Sequence, residues 1–417
     1  MRRLGQRKLG SNEISRAINR DIVLELIRTH QPIARVDLSR KSGLQPSTIS
    51  LIVEELLSEK WIVEGTAEAR PRGRKPTLLS LNGNLLIFSI DVRPSQATVA
   101  VMDLHGHLLM QEQIPVFADP KKGIALLVHT IKTLRRHFPG KCFEGIGISL
   151  PGRVDPGMRQ LMIAPNLKWL KFDIGGVIEL ECGLQVEMEN EANVCLIEEI
   201  WSGRLKKYSN AVLVSMSEGI GAAILVNGQI VYGKSGMAGE FGHISLDPSG
   251  PLCGCGRKGC WEAFASTRAI LRYHAESTQP RTVLSWGEFL NLAREGDKSA
   301  VATLRHQAMY FAKGLQIVVT ALAPEIVVLA GDAALAWSEF PSLVHEELAK
   351  YMLAGDAPEL LFLNRSEHAR LRGAAAMLLQ RHANYHRSSY LPINRQNEVT
   401  NPQEGSKRSA RSKTLRS

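Results

Sequence analysis

Residues 239–262 read GEFGHISLDPSGPLCGCGRKGCWE, a stretch that gathers metal-binding side chains at close spacing. The pattern is H-x9-C-x-C-x4-C, formed by His243, Cys253, Cys255 and Cys260. Three thiolates and one imidazole fill a tetrahedron, so we expect a closed, structural Zn²⁺ site with no open position for a catalytic water. Gly254, Gly256 and Gly259 are expected to let the chain turn tightly around the ion. The alternative is a set of buried free thiols.

The rest of the composition is that of an ordinary globular protein. The chain has 417 residues, of which 44% are hydrophobic and 22% charged, so we expect two or three domains. It has no run of 18 apolar residues, and its first ten residues, MRRLGQRKLG, lack an apolar signal core. We therefore expect a cytoplasmic protein without membrane contact. Cys142, Cys182 and Cys195 are scattered and are interpreted as core residues.

Positive charge is concentrated at the two ends of the chain. Residues 1–82 carry 15 Lys and Arg against 9 Asp and Glu, and residues 383–417 carry 7 against 2. Residues 83–382 are nearly neutral, with 29 Lys and Arg against 30 Asp and Glu. A basic terminal module is typical of a DNA-binding protein. The alternative is a merely solvated basic surface.

The N-terminal region has a helix-turn-helix pattern. In NRDIVLELIRTH (19–30), Ile22, Leu26 and Ile27 recur at helical spacing with Val23 beside them, and RVDLSRKSG (35–43) predicts a short helix that ends at Gly43. In QPSTISLIVEELLSEK (45–60), Pro46 suits a first helical turn. One buried face is predicted there, formed by Ile49, Ile52, Val53, Leu56 and Leu57. The opposite face, predicted to enter the major groove, carries Ser47, Thr48, Ser50 and Leu51.

A strand, a basic loop and a second strand follow in WIVEGTAEARPRGRKPTLLSLN (61–82) and predict a β-wing. The cations of its tip are Arg70, Arg72, Arg74 and Lys75, separated by glycine and proline. Extended arginines of this kind fit the narrow, negative minor groove of A·T-rich DNA. The alternative is a solvated linker between domains. The position of this segment directly after a helix-turn-helix favours the wing.

From residue 85 the chain alternates apolar strands with helical stretches, as α/β proteins do. Five of its motifs occur in the order and spacing of the ROK family, which groups bacterial sugar kinases with repressors of xylose- and N-acetylglucosamine-type regulons. The motifs are IGISLPGRVDP (146–156), APNLKW (164–169), ENEAN (189–193), GMAGEFGHISLDP (236–248) and CGCGRKGCWE (253–262). The resemblance runs from about Asn19 to about Leu379. It implies an N-terminal winged helix-turn-helix followed by a two-lobed, actin/hexokinase-like (ribonuclease-H-like) α/β domain.

The resemblance also implies a sugar site. Planar polar groups bind vicinal hydroxyls in pairs, and the family's pattern assigns that role to Asn166, Asn190, Glu191, Glu240, His243 and Glu262. His243 would serve twice, with one ring nitrogen on zinc and the other toward a sugar hydroxyl.

The chain departs from the family's kinases where ATP phosphates would bind. The kinase DxGGT loop is here Asp91-Val92-Arg93-Pro94-Ser95-Gln96, in which Pro94 has no N–H to donate. The kinase GTGxGxG loop is here 217–223, SEGIGAA, with the carboxylate of Glu218 where a phosphate should lie. The adenosine-side GGG is here Gly331-Asp332-Ala333, and Glu191 stands at the position of the catalytic Asp. These departures favour a protein with no catalytic residues.

The sequence thus predicts a winged helix-turn-helix in 1–82, two lobes in 83–205 and 206–382, and a disordered basic tail in 383–417. The last helix of the second lobe is expected to return to the first. The predicted function is a sugar-responsive regulator, most simply a repressor, that binds a DNA operator as a homodimer or dimer of dimers. The alternatives are an ATP-dependent sugar kinase with a DNA-binding module, or a zinc-stabilised scaffold that binds no sugar.

Overall fold

The computed structural model describes the chain in seven stretches, which are residues 3–66, 77–155, 160–278, 283–331, 338–352, 357–363 and 366–379. Within these stretches, no helix has both the length and the apolar character needed to cross a bilayer. Three of the predicted features lie outside the described residues. They are the wing-tip cations Arg70, Arg72, Arg74 and Lys75, the pair Asp332 and Ala333, and the tail 383–417.

The first part of the chain forms three helices and a three-stranded antiparallel sheet in the order β1-β3-β2. The elements are α1 (Arg3–His30), β1 (Ile33–Ala34), α2 (Arg35–Ser42), α3 (Pro46–Ser58), β2 (Ile62–Thr66) and β3 (Thr77–Leu81). Strands β2 and β3 pair from Ile62 opposite Leu81 to Thr66 opposite Thr77. The basic segment therefore joins two strands of one hairpin, as a wing does.

The turn between α2 and α3 follows from its residues. Gly43 has a left-handed backbone, φ 72°, and its N–H donates to Ser39 O, so α2 ends there. Pro46 opens α3. The predicted buried face of α3 is found at Ile49, Ile52, Val53 and Leu56, whereas Leu57 is only half-buried.

The first helix differs from its prediction. It begins at Arg3, well upstream of the stretch 19–30 in which the sequence analysis identified helical spacing. Its buried residues are Val23, Leu24 and Ile27, while Ile22 is 40% exposed. Helical spacing thus correctly marked a helix over 19–30, in which Leu24 rather than Ile22 faces the core.

The second part of the chain contains a five-stranded sheet in the order β11-β7-β4-β5-β6 and a smaller sheet, β10-β9-β8. The elements are β4 (Leu85–Val92), β5 (Gln96–Asp103), β6 (Leu108–Pro115), α4 (Pro120–Arg136), β7 (Cys142–Leu150), β8 (Arg153–Asp155), β9 (Gln160–Ala164), β10 (Trp169–Phe172), α5 (Ile174–Cys182), β11 (Gln185–Asn190) and α6 (Glu191–Trp201). Every residue of β4 is buried, because both faces of this central strand are covered.

The third part repeats that sheet order as β14-β13-β12-β15-β16. The elements are β12 (Ala211–Met216), β13 (Ile220–Val226), β14 (Gln229–Ile230), α7 (Trp261–Ala265), α8 (Thr267–Ser277), α9 (Trp286–Arg294), α10 (Lys298–Leu322), β15 (Ile326–Ala330), α11 (Phe340–Ala349), β16 (Glu359–Phe362) and α12 (Ser366–Leu379). In both sheets, three antiparallel strands continue into parallel ones. The chain thus has two lobes of one topology.

Helix α12 does not pack on the strands that precede it. It lies against β4 and β7 of the first sheet and against α6. Two glycines allow this approach, since a Cβ on Gly147 would lie 1.9 Å from Ala374 O and one on Gly373 would lie 2.0 Å from Val194 O. The domain limits themselves remain a prediction.

Candidate functional site

The four predicted metal ligands come together in the structure. The side-chain ligand atoms of His243, Cys253, Cys255 and Cys260 all lie within 4.8 Å of one another. The Cys255 and Cys260 sulfurs are 3.7 Å apart, and Cys253 Sγ is 3.6 Å from His243 Nδ1. A tetrahedron with Zn–S bonds of about 2.3 Å and a Zn–N bond of about 2.0 Å has S···S edges of about 3.8 Å and S···N edges of about 3.5 Å. The cluster therefore has the size and donor set of a tetrahedral metal site.

Backbone bonds within the loop fix the cluster. Cys253 N donates to Arg257 O at 2.8 Å and Gly256 N donates to Cys253 O at 3.0 Å. Gly256 and Gly259 have φ of 87° and 69°, and a Cβ on Gly259 would lie only 1.5 Å from Asp247 O. Gly254, the third glycine predicted to aid the turn, is not among the residues of positive φ. Two of the three glycines are thus required by the backbone.

His243 faces both the cluster and a neighbouring cavity. Its Nδ1 lies toward the Cys253 thiol, and its Nε2 lies 3.8 Å from Glu240 Oε2. Burial raises the pKa of the Glu240 carboxyl, and the Coulombic influence of His243 opposes that rise. A metal on Nδ1 would leave Nε2–H as a donor directed away from the ion.

All six predicted sugar-site residues line one cavity of about 100 Å³ between the two lobes. Asn190 and Glu191 reach it from the junction of β11 and α6, and Asn166 from the short helix Pro165–Leu167 that follows β9. The second lobe contributes the side chains of Glu240, His243 and Glu262. Carboxylate, amide and imidazole groups thus converge from several elements.

Glu262 connects the metal loop to the cavity wall. It is the second residue of α7, which begins directly after Cys260, and it is 8% exposed. Its Oε2 accepts a hydrogen bond from Ile220 N at 3.1 Å, and its Oε1 lies 3.3 Å from Arg268 Nη2. Arg268 also donates from Nε to Glu218 O at 2.7 Å. The metal loop and the β12–β13 turn are thereby fixed to each other.

Asn190 has a second role beside lining the cavity. Its Oδ1 accepts from Asn193 N at 2.8 Å and caps the N-terminus of α6. One lone pair of the side-chain oxygen is therefore used by the cap, and the amide Nδ2 can donate to a ligand. Glu191 is the first residue of the same helix.

A buried arginine that the sequence did not indicate joins the two lobes near this site. Arg370 of α12 is 3% exposed and lies 3.8 Å from Asp91 Oδ2, 3.6 Å from Glu191 Oε2 and 3.5 Å from Ser217 Oγ. It brings a cation to the turns that follow β4 and β12. No local pattern marks Arg370, since its partners lie far away along the chain.

The predicted DNA-contacting face of α3 is open to solvent. Leu51 is 66% exposed and Ser47 is exposed, while Thr48 and Ser50 are half-buried. Leu51 therefore does not pack inside the small N-terminal unit.

The chain is similar to known proteins over most of its length. It is 28% identical over 368 residues to the xylose repressor of Bacillus subtilis (strain 168), covering 87% of this chain and 95% of that protein. A crystal structure of a ROK family transcriptional regulator, a homologue of the E. coli MLC protein, matches with a TM-score of 0.75 at 25% identity, covering 91% of this chain and 99% of that one. The ROK family glucokinase from Streptomyces griseus, in complex with glucose and AMPPNP, matches with a TM-score of 0.64 at 25% identity over 70% of this chain and 98% of the kinase.

The family pattern itself matches residues 87–381, which include the cavity and the metal cluster. The two-lobed α/β fold expected from the sequence is confirmed by these likenesses. The N-terminal unit has the helices and the hairpin of the expected winged helix-turn-helix. Because the family pattern matches residues 87–381, most of the chain, the chain belongs to the ROK family.

Proposed function

We propose that the protein is a sugar-responsive, DNA-binding transcriptional repressor of carbohydrate-metabolism genes. The observation that carries the proposal is the presence, in one chain, of an exposed recognition-helix face and an interlobe cavity lined by six polar side chains of the kind that bind sugars. The similarity to the xylose repressor over nearly its whole length supports the same combination.

In this proposal the interlobe cavity binds a sugar or sugar derivative. Carboxylates and amides such as Glu240 and Asn166 accept from and donate to adjacent hydroxyls, and a site built this way rejects analogues that leave its buried polar groups unpaired. A structural Zn²⁺ on the Cys3His cluster would hold His243 and, through α7, Glu262 in place. The ion itself does no chemistry here.

The DNA would be read by two elements. The face of α3 with Ser47, Thr48, Ser50 and Leu51 would lie in the major groove, while Arg70, Arg72, Arg74 and Lys75 of the wing would reach phosphates and the minor groove. One short helix reads few bases, so a homodimer or dimer of dimers on a two-fold operator would supply the remaining specificity.

The direct test measures operator binding in the presence of a sugar panel. Fluorescence anisotropy on a duplex that the protein selects from a random-sequence library, with D-xylose and N-acetylglucosamine in the panel, should show a sugar that changes the operator Kd. An unchanged Kd with every sugar, in a protein that binds none of them by calorimetry, would contradict the proposal and favour the zinc-stabilised scaffold.

Replacing Leu51 with arginine is expected to change operator preference more than total affinity. Leucine offers no hydrogen bond but can pack on a thymine methyl, whereas arginine bonds guanine, so the shift should be about 1–3 kcal/mol at one base step. Binding to a library of operator variants measures it. The matched control is Leu56→Arg on the buried face of the same helix, which is fully buried and should unfold the unit by circular dichroism. A folded Leu51→Arg protein with unchanged preference would show that Leu51 does not read bases.

The kinase alternative predicts ATP consumption, and we expect none above background with any sugar of the panel. Pro94 has no N–H for a phosphate, Glu218 brings a carboxylate there, and Glu191 is one methylene longer than the kinase's Asp. Arg370 also lies against Glu191, the residue at the catalytic position. A coupled ATPase assay decides the question, because turnover on the order of 10 per second would restore the kinase.

A further inference from the structure

Helix α6 connects the sugar-site cavity to the N-terminal unit. Its first residue, Glu191, and its cap, Asn190, line the cavity, while its last residue, Trp201, lies against α1. Eleven residues at 1.5 Å per residue give a rod of about 16 Å. One continuous element therefore has one end in the ligand site and the other at the DNA-binding unit.

At the far end of α6, Arg28 of α1 makes a polar contact with Trp201. Arg28 Nη2 of α1 donates to Trp201 O at 3.0 Å, and the Arg28 guanidinium carbon lies 4.5 Å from the centroid of the Trp201 ring. The carbonyls at a helix C-terminus carry partial negative charge, so both the carbonyl and the ring face attract this cation. Glu25 orients the guanidinium with two bonds of 2.8 Å and also pairs with Lys206 at 3.1 Å.

The two sides of this junction differ in packing. On the sugar-domain side, a Cβ on Gly106 would lie 2.7 Å from the Trp201 ring, so the turn between β5 and β6 holds the indole tightly. On the other side, a cavity of about 240 Å³ lies between the units, lined among others by Leu24, Trp61 and Trp201. A displaced Trp201 is thus confined toward the first lobe, and free space lies on the side of α1.

Helix α1 continues the connection to the recognition helix. Val23 and Ile27 share one hydrophobic core with Ile52 and Leu56 of α3. Arg16 Nη2 also lies 3.0 Å from Glu55 Oε2, so a change in the orientation of α1 moves α3 with it.

We propose that α6 carries the state of the sugar site to the DNA-binding unit through the Arg28–Trp201 contact. This inference rests on the proposed function, since it assigns the route by which the sugar changes operator affinity. A ligand that shifts Glu191 or Asn190 moves α6 as a unit, and Arg28 transfers that movement to α1. Arg28 is a positioning residue that contacts neither ligand.

The test measures coupling in both directions. Operator Kd is measured with and without the sugar, and sugar Kd with and without operator, for the wild type and for Arg28→Met. Coupling of this type amounts to about 5–150-fold in the wild type, and linkage requires the same factor in both directions. We expect Arg28→Met to reduce that factor to within about twofold of unity, with operator Kd in the absence of sugar and sugar Kd in the absence of operator within about threefold of wild type.

The first lobe provides a matched control. Arg135 of α4 lies 5.6 Å from the Phe143 ring centroid and donates to Cys182 O, at the end of α5, at 3.3 Å. Arg135→Met removes the same kind of arginine–aromatic and helix-end contact away from the junction and should keep the full coupling factor. Arg28→Lys retains the charge but loses the planar fork, so it should lower the coupling factor at least about threefold. It takes the place of Arg28→Met in the test if Arg28→Met does not fold.

The outcomes separate the two proposals. A wild-type coupling factor of one with every sugar would contradict the proposed function itself. Normal wild-type coupling that persists in folded Arg28→Met, or in Arg28→Lys, would overturn the role of this junction and leave the proposed function intact. Equal loss of coupling in Arg135→Met would show a general loss of rigidity and would also overturn it.

Discussion

Replacing Cys255 with serine is expected to remove the metal, the sugar response and much of the stability together. Cys255 Sγ lies 3.7 Å from Cys260 Sγ in a cluster with the dimensions of a tetrahedral zinc site. Zinc binding by such sets contributes about 10–16 kcal/mol in small peptides, and a part of that would be lost here. The melting temperature should fall by about 10 °C or more.

The protein as purified should contain about one Zn²⁺ per chain by elemental analysis. Sugar binding should be lost in Cys255→Ser because the loop positions both His243 and Glu262. Cys142→Ser is the matched control, since this cysteine lies outside the cluster and is exposed, so its interpretation as a core residue was wrong. It should retain metal, melting temperature and sugar binding. A metal-free wild type that is fully folded and binds sugar would contradict the prediction.

The second large effect is expected from the wing. Replacing both Arg72 and Arg74 with alanine should weaken binding to every DNA sequence, because the contacts proposed for them are to phosphates and to the minor groove rather than to individual base edges. Two charge-assisted hydrogen bonds are worth about 3–6 kcal/mol together. The slope of log K against log salt should become shallower by about two.

Titration of specific and unrelated duplexes at several salt concentrations measures both effects. The matched control is the double change of Arg135 and Arg136 to alanine on α4, which removes two cations from the first lobe and should leave the salt slope unchanged. If the wing variant loses affinity for the operator alone, with an unchanged slope, the arginines read bases and the assigned phosphate contacts are wrong.

Local signals in the sequence were sufficient for much of this protein. The metal cluster was predicted because its four ligands lie within one short loop, where spacing alone limits the geometry. The buried face of α3 was predicted for the same reason, since helical periodicity is a local property. The resemblance to the ROK family, confirmed by the family match, rested on contiguous motifs such as residues 253–262.

The sequence was less informative where a local pattern was weak. Only the part of α1 in 19–30 was identified from the sequence, whereas the helix begins at Arg3 and buries Leu24 rather than Ile22. Gly254 resembled its neighbouring glycines in sequence, yet only Gly256 and Gly259 take a positive φ.

Only the tertiary structure revealed the contacts between distant segments. Arg370 meets Asp91, Glu191 and Ser217 because α12 packs on the first sheet, and no periodicity or motif records such a meeting. The Arg28–Trp201 contact joins residues that are 173 positions apart. Sequence patterns report which face of an element is apolar and which ligands share a loop. Partners across a fold are set by how whole elements pack, which depends on the summed complementarity of many side chains rather than on any one stretch of chain.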